Sequence, residues 1–306
     1  MGNSSLIERA PRELCRQPPR ILYKYCDPGG IDILENLRLR VTPPNRFNDP
    51  FEFAPKLTAT LSRSTVKRLV IPKDRLREVW ADLREKGRFQ GSFRDFKRLA
   101  RERLSPLVES YREGLSKKAA ENKKDLAQSL SERFAVFCLS EVRDDILMWS
   151  HYSRSHQGIV IGLDTSHISV ESDPNLLKVE YSPQRADMDY LERTRLSQQA
   201  RTQTNALIRR KSLQWSYERE WRRFYFLSEC IVENEATRGC LDYFVRIEAS
   251  TIREVIVGCR ATELTLSRIG QFQKDNRFEH VQFCHAAMHD TDFALSVSCL
   301  QSPCGD

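Results

Sequence analysis

The chain has 306 residues, 40% hydrophobic content and a formal net charge of +7, enough apolar material for one large domain or for one domain carrying an insertion. No run of about 18 apolar residues occurs, so no membrane-spanning helix is expected. The single Gly pair, in CDPGG, matches neither G-x-G-x-x-G nor a Walker sequence, which argues against classical dinucleotide and P-loop chemistry.

The opening MGNSSLIERAPREL lacks the apolar core of a signal peptide. Met1-Gly2 begins as a myristoylation site would, but Leu6 stands where that motif wants Ser or Thr. Residues 1–20 read as a flexible N-terminus. ILYKY (21–25) reads as a short strand with Ile21, Tyr23 and Tyr25 on one face. GGIDILENL reads as a short helix and LRLRV (37–41) as a second strand. TPPNRFNDPFE, rich in Pro, Asn and Asp, reads as a loop.

From about Lys56 the composition changes. Residues 56–130 hold 20 Lys and Arg against 10 Asp and Glu, whereas the remainder holds 29 against 32. The basic character is therefore regional. Leu76, Val79, Trp80 and Leu83 have helical spacing, so this stretch is expected to be a helical basic insertion. Phosphate contacts would let it bind nucleic acid. Its interleaved acids and few aromatics favour a solvated face.

RFAVFCLSE (133–141) reads as a buried strand and DDILMWSHYSR (144–154) as a helix with an acidic first turn. GIVIGLD (158–164) and LLKVEY (176–181) are expected strands, and 187–210 a polar helix. QWSYEREWRRFYFL (214–227) reads as a strand. Strand alternation would aim Glu218, Glu220 and Arg222 one way and Arg219, Trp221, Arg223 and Tyr225 the other. YFVRIE (243–248), IREVIVGC (252–259), HVQFCHAA (280–287) and FALSVS (293–298) are further strands, with a helix near 262–275. The expected fold class is α+β: a curved, mostly antiparallel sheet with flanking helices. One domain over 21–298 would contain the 56–130 insertion, with 299–306 as a tail.

Nine scattered cysteines without any C-x-x-C argue for reduced thiols and a cytoplasmic protein. Cys138 and Cys259 end apolar runs and are expected in the core. His280, Cys284, His285 and His289 crowd one stretch, but it alternates as a strand. Core and surface placement suits them better than a metal. Trp149 and Tyr152, three apart on a helix, would pack on the core in the plainest reading.

Taken in order, LYKY, RLRVTPPNRFNDPFE, FCLSE, MWSHYSRSHQGIVIGLD, VEYSP, KSLQWSYEREWR and IREVIVGCRA resemble the bacterial family called domain of unknown function 2971, over roughly residues 21–298. That family name implies no activity. The layout is also similar to ADP-ribosyltransferases, especially toxins that modify DNA. By that resemblance LYKY would be the first NAD-contacting strand, with Tyr23 and Tyr25. Ser140 to Tyr152 would be the strand–helix unit that brackets nicotinamide, with Ser140, Trp149, His151 and Tyr152. Glu218 and Glu220 would be the catalytic E-x-E pair. The first strand departs from the resemblance, since it carries tyrosines and Lys24 where those enzymes usually have His or Arg.

The chemistry is compatible. Breaking the nicotinamide–ribose bond builds positive charge on the ribose, which a facing carboxylate stabilises most in the transition state. A second carboxylate can take the acceptor's proton. Asn48 would supply an amide donor and acceptor. NAD is then a substrate, and no metal is expected. Two other classes stay open: Glu218, Glu220 and Asp49 holding Mg²⁺ in a nuclease, or a module that binds nucleic acid or a partner without chemistry.

Overall fold

The computed structural model describes residues 17–58, 72–121, 128–168, 176–189, 198–234 and 241–299. The expectations for the first sixteen residues, the lipidation motif and the tail beyond Cys299 lie outside the described residues. Contacts divide the chain into two compact units. One is Met1–Phe53, Ala127–Arg185 and Ile208–Asp306, and the other is Ala54–Leu126 and Ala186–Leu207.

The first unit is built on an eight-stranded sheet. Its strands in chain order are β1 (Ile21–Cys26), β2 (Phe134–Ser140), β3 (Ile159–Asp164), β4 (Leu176–Lys178), β5 (Glu220–Phe226), β6 (Ile252–Val257), β7 (Gln282–Met288) and β8 (Leu295–Cys299). They lie side by side as β8-β7-β6-β3-β1-β2-β5-β4. Neighbours are antiparallel except β6 and β7, which are parallel. A parallel pair needs a crossover, and the helix Glu263–Phe272 supplies it, capped by the Thr262 side chain. The protein is thus a mixed α+β fold on a mostly antiparallel sheet.

Every residue of β3 is buried. Such a continuous apolar run is what a strand covered on both faces requires. Leu22, Phe137, Leu139, Ile161, Leu163 and Trp221 pack on one face. Tyr25, Met148, Trp149, Val160 and Ile256 pack on the other. A smaller sheet, in which Arg38–Val41 pairs with Leu241–Arg246 and the latter with Ile231–Asn234, contributes Leu39, Val41 and Val245 to the first layer. The helix Ile146–Tyr152 starts where the Asp145 carboxylate accepts from the Leu147 and Met148 amides, a capping interaction that satisfies otherwise orphaned donors.

In the second unit Lys73–Glu85 and Phe93–Glu121 are helices. The strand Lys56–Thr58 pairs in parallel with Asp187–Asp189. Trp80 packs edge-on against Phe93, and exposed pairs such as Lys86–Asp82 and Arg75–Glu78 lace the solvent side. Among the described residues no helix is long and apolar enough to cross a membrane.

Several expectations need correction. Residues 214–218 are not strand: Leu213–Glu218 forms a 3-10 turn, Arg219 is left-handed at φ 45°, and the strand begins at Glu220. The residues 176–181 are two strands, because Glu180–Ser182 leaves the main sheet to pair with Arg210–Ser212. The polar helix occupies Gln198–Arg209, whereas Asp187–Asp189 is strand. The thiols are not all reduced either: Cys284 and Cys299 face each other across β7 and β8 and form a disulfide. Neighbouring-strand register brings them together, although they stand 15 residues apart.

Candidate active site

Register carries one row of residues across the sheet. Glu220 pairs with Ser140, Ser140 with Tyr23, Tyr23 with Gly162, and Gly162 with Glu254. Directly opposed residues on neighbouring strands share a face, so β5, β2, β1, β3 and β6 each present one residue to the same side. Gly162 in the middle of this row leaves room for its neighbours. A Cβ there would lie 3.1 Å from the Tyr23 ring and 3.1 Å from the Glu254 Cβ.

At the β5 end of the row sits a buried ion cluster. The Lys211 ammonium lies 2.5 Å from Glu218 Oε2, 2.9 Å from Glu220 Oε2 and 3.2 Å from Glu52 Oε1. The Arg222 guanidinium donates to Glu220 Oε1 at 2.8 Å through Nε, and also to Glu52. None of these five side chains is more than 5% exposed. Three carboxylates thus share two cations. Glu52 is aimed inward by a turn in which the Asp49 carboxylate accepts from the Phe51 amide. Phe53 follows it in the left-handed region at φ 54°, wedged edge-on against Phe47 and Phe224. Non-glycine residues at positive φ are costly and concentrate where function over-determines the backbone. Here one follows Glu52, and Arg219 separates Glu218 from Glu220.

The environments of the carboxylates differ. Burial raises the Glu218 carboxyl to about 7. Lys211 opposes that rise and neighbouring Glu220 adds to it. Burial pushes Glu220 the same way, but Arg222 and then Lys211 outweigh it and hold Glu220 well below the usual carboxylate range. Burial also raises Glu52, only partly offset by Arg222 and Lys211. Two carboxylates in one site, one near neutral and one always ionised, are the arrangement acid–base chemistry needs. The Tyr152 phenol donates to Glu218 Oε1 at 2.7 Å and bonds with the Asn48 side chain. Burial, then Glu218, holds that phenol protonated by raising its pKa.

These groups line a cleft of about 410 Å³, within the range of small-molecule sites. Tyr23, Tyr25, Asn48, Ser140, His151, Tyr152, Glu218 and Glu220 all border it. Trp149 does not: it is fully buried, its indole N–H donates to the Arg143 carbonyl, and its ring props Tyr25 edge-on. Ser140 also holds the geometry together, since its hydroxyl donates to the Glu218 carbonyl at 2.6 Å and accepts from the Val142 amide. Asp49 is not among the residues bordering the cleft, and its carboxylate accepts from the Phe51 amide within its own loop. An ammonium occupies the middle of the Glu52, Glu218 and Glu220 carboxylates, where a nuclease Mg²⁺ would have to lie. Among the described residues the one cluster of potential metal-ligating side chains is Glu254, Cys284 and Cys299, and its two sulfurs are joined in the disulfide rather than offered as thiolates. Of the other candidates in that stretch, His280 contacts the Ala249 carbonyl and His289 pairs with Asp292.

Sequence reasoning passed over Glu52 and Lys211. Both stand inside quoted segments, Glu52 closing FNDPFE and Lys211 opening KSLQWSYEREWR. A lone lysine beginning a motif otherwise rich in Glu was the available signal. Neither a curated protein nor a solved structure matches the chain, and no match to an ADP-ribosyltransferase was found. Residues 148–223, which include Tyr152, Lys211, Glu218, Glu220 and Arg222, match the model of a family described as Protein of unknown function (DUF2971).

Proposed function

We propose that this cleft is the active site of an ADP-ribosyl-transferring enzyme that uses NAD as its substrate. The observation that carries the reading is Glu218: a buried carboxyl with a pKa near neutrality, hydrogen-bonded by Tyr152 and Lys211 at the wall of an aromatic cleft, two residues from a permanently ionised Glu220. The nicotinamide–ribose bond breaks with its electron pair going to nicotinamide. The acceptor attacks the cationic ribose carbon, and its proton passes to Glu218. A group titrating near working pH is best matched to that transfer. Glu220 keeps a fixed negative charge at the cleft floor and anchors Lys211. Tyr25 and Tyr152 supply aromatic lining, while Asn48 and Tyr23 supply polar groups. Side-by-side placement of β1, β2 and β5 supports the reading, since the resemblance assigns the NAD contacts and catalytic glutamates to those elements.

The test is nicotinamide release from NAD by wild type and by Glu218→Gln, with protein, nucleic acid and water offered as acceptors. Loss of a positioned general base should cost about 10²–10⁴ in rate while the variant stays folded. A wild type that neither binds NAD nor releases nicotinamide with any of these acceptors would return the cleft to a binding role.

A further inference from the structure

Glu254 stands at the far end of the sheet row from Glu220 and is 3% exposed. Its carboxylate has two kinds of neighbour. On one side Arg143 donates to Oε1, and the Tyr23 phenol interacts with both Glu254 and Arg143. On the other side the Cys284 and Cys299 sulfurs lie 3.4 and 3.8 Å from the same oxygen. A disulfide carries no proton, so in this state it can donate nothing to the carboxylate, whereas a thiol can. The two sulfurs are also unequal: Cys284 is buried and Cys299 is exposed, at the end of the edge strand β8.

We propose that Cys284 and Cys299 form a thiol–disulfide exchange site for a small dithiol, and that Glu254 transmits its state to Tyr23 in the cleft. The reductant's thiolate attacks Sγ of Cys299, the more exposed residue of the pair. The S–S bond breaks, and Cys284 leaves as a thiolate that takes a proton from solvent. The reductant's second thiol then displaces Cys299 from the mixed disulfide, and Cys299 is protonated in turn. The dithiol becomes a disulfide, and the protein gains two electrons and two protons. The new Cys284 S–H already lies within reach of Glu254 Oε1, so it adds a donor to a carboxylate that Tyr23 and Arg143 share. Gly162 leaves the space through which Tyr23 and Glu254 meet. Reduction therefore changes the hydrogen bonding of a cleft-lining phenol without moving any residue of the Lys211 cluster. This inference does not rest on NAD being the substrate.

The experiment titrates the full chain with oxidised and reduced dithiothreitol. Alkylation and mass spectrometry read each cysteine, and the ¹³Cζ resonance of labelled Tyr23, identified with Tyr23→Phe, reads the cleft. Cys284 and Cys299 should titrate together as one two-electron couple, and the Tyr23 resonance should shift along the same curve. In Glu254→Gln the couple should persist while the Tyr23 shift is lost. A Cys284→Ser, Cys299→Ser double variant should hold Tyr23 at one position in every buffer. If that variant fails to fold, the wild-type titration decides alone. Independent alkylation of the two cysteines in air-oxidised protein would overturn the exchange site. A Tyr23 resonance that stays fixed while the couple titrates would overturn the link to the cleft.

Discussion

Glu218→Gln should make the protein more stable at pH 8 relative to wild type than it does at pH 4.5. An unfolded glutamate titrates near 4.5, and folded Glu218 near 7. Between those values the folded chain keeps a proton that the unfolded chain has released. The stability this group contributes is therefore full below about pH 4.5 and is lost as pH rises through 7. At about 1.36 kcal/mol per pH unit the loss is roughly 3 kcal/mol. Glutamine cannot titrate, keeps an acceptor for Tyr152 and leaves Lys211 bound to Glu52 and Glu220. It also removes one of three carboxylates that share two cations. The stability difference between variant and wild type should thus swing by roughly 3 kcal/mol in the variant's favour from pH 4.5 to 8, or about 5–8 °C in Tm. Urea unfolding of both proteins across that range measures it. Parallel profiles would mean that Glu218 titrates as an ordinary glutamate, and the proton-transfer role would fall with it. The informative combination is a variant at least as stable as wild type at pH 8 that has lost nicotinamide release.

Glu220→Gln should behave in the opposite way. It leaves the fully buried Arg222 short of a partner, which costs about 3–5 kcal/mol, so a variant within 1 kcal/mol of wild type in urea would contradict the geometry of the cluster. Tyr152→Phe removes a donor to ionised Glu218 and should move the pH–rate midpoint above that of wild type. A midpoint that stays put or falls would show that the 2.7 Å contact does not act on Glu218. Gly162→Ala forces a Cβ against Tyr23 and Glu254 and should cost about 1–3 kcal/mol. An unperturbed variant in thermal melts would mean that the row is looser than its register implies.

Much of the framework was legible in sequence because it rests on local periodicity. Alternation in ILYKY, and the apolar runs in FAVFCLS and IVIGLD, identify strands whose faces follow from the two-residue repeat. The acidic start of DDILMWSHYSR and the helical spacing of Leu76, Val79, Trp80 and Leu83 identify helices in the same way. Extending the same alternation back from Glu220 through Glu218 to Gln214 misleads. Leu213–Glu218 is a 3-10 turn, and only the left-handed Arg219 shows where the strand begins.

The site itself depends on register and on loops, neither of which is a local property. That Tyr23, Ser140 and Glu220 stand abreast is decided by how three strands slide past one another, and a shift of one residue would turn each to the opposite face. Glu52 enters from a distant loop, and Lys211, seven residues before Glu218, from the strand that follows a helix, so neither belongs to the strand repeat that carries Glu220. Lys211 acts on Glu218 electrostatically at 2.5 Å, and Glu52 meets that same ammonium at 3.2 Å. The sequence by itself determined that two glutamates lie beside an aromatic strand. Only the tertiary structure decided that one titrates near neutrality while the other stays ionised, because burial and the placement of Lys211 and Arg222 set those charges.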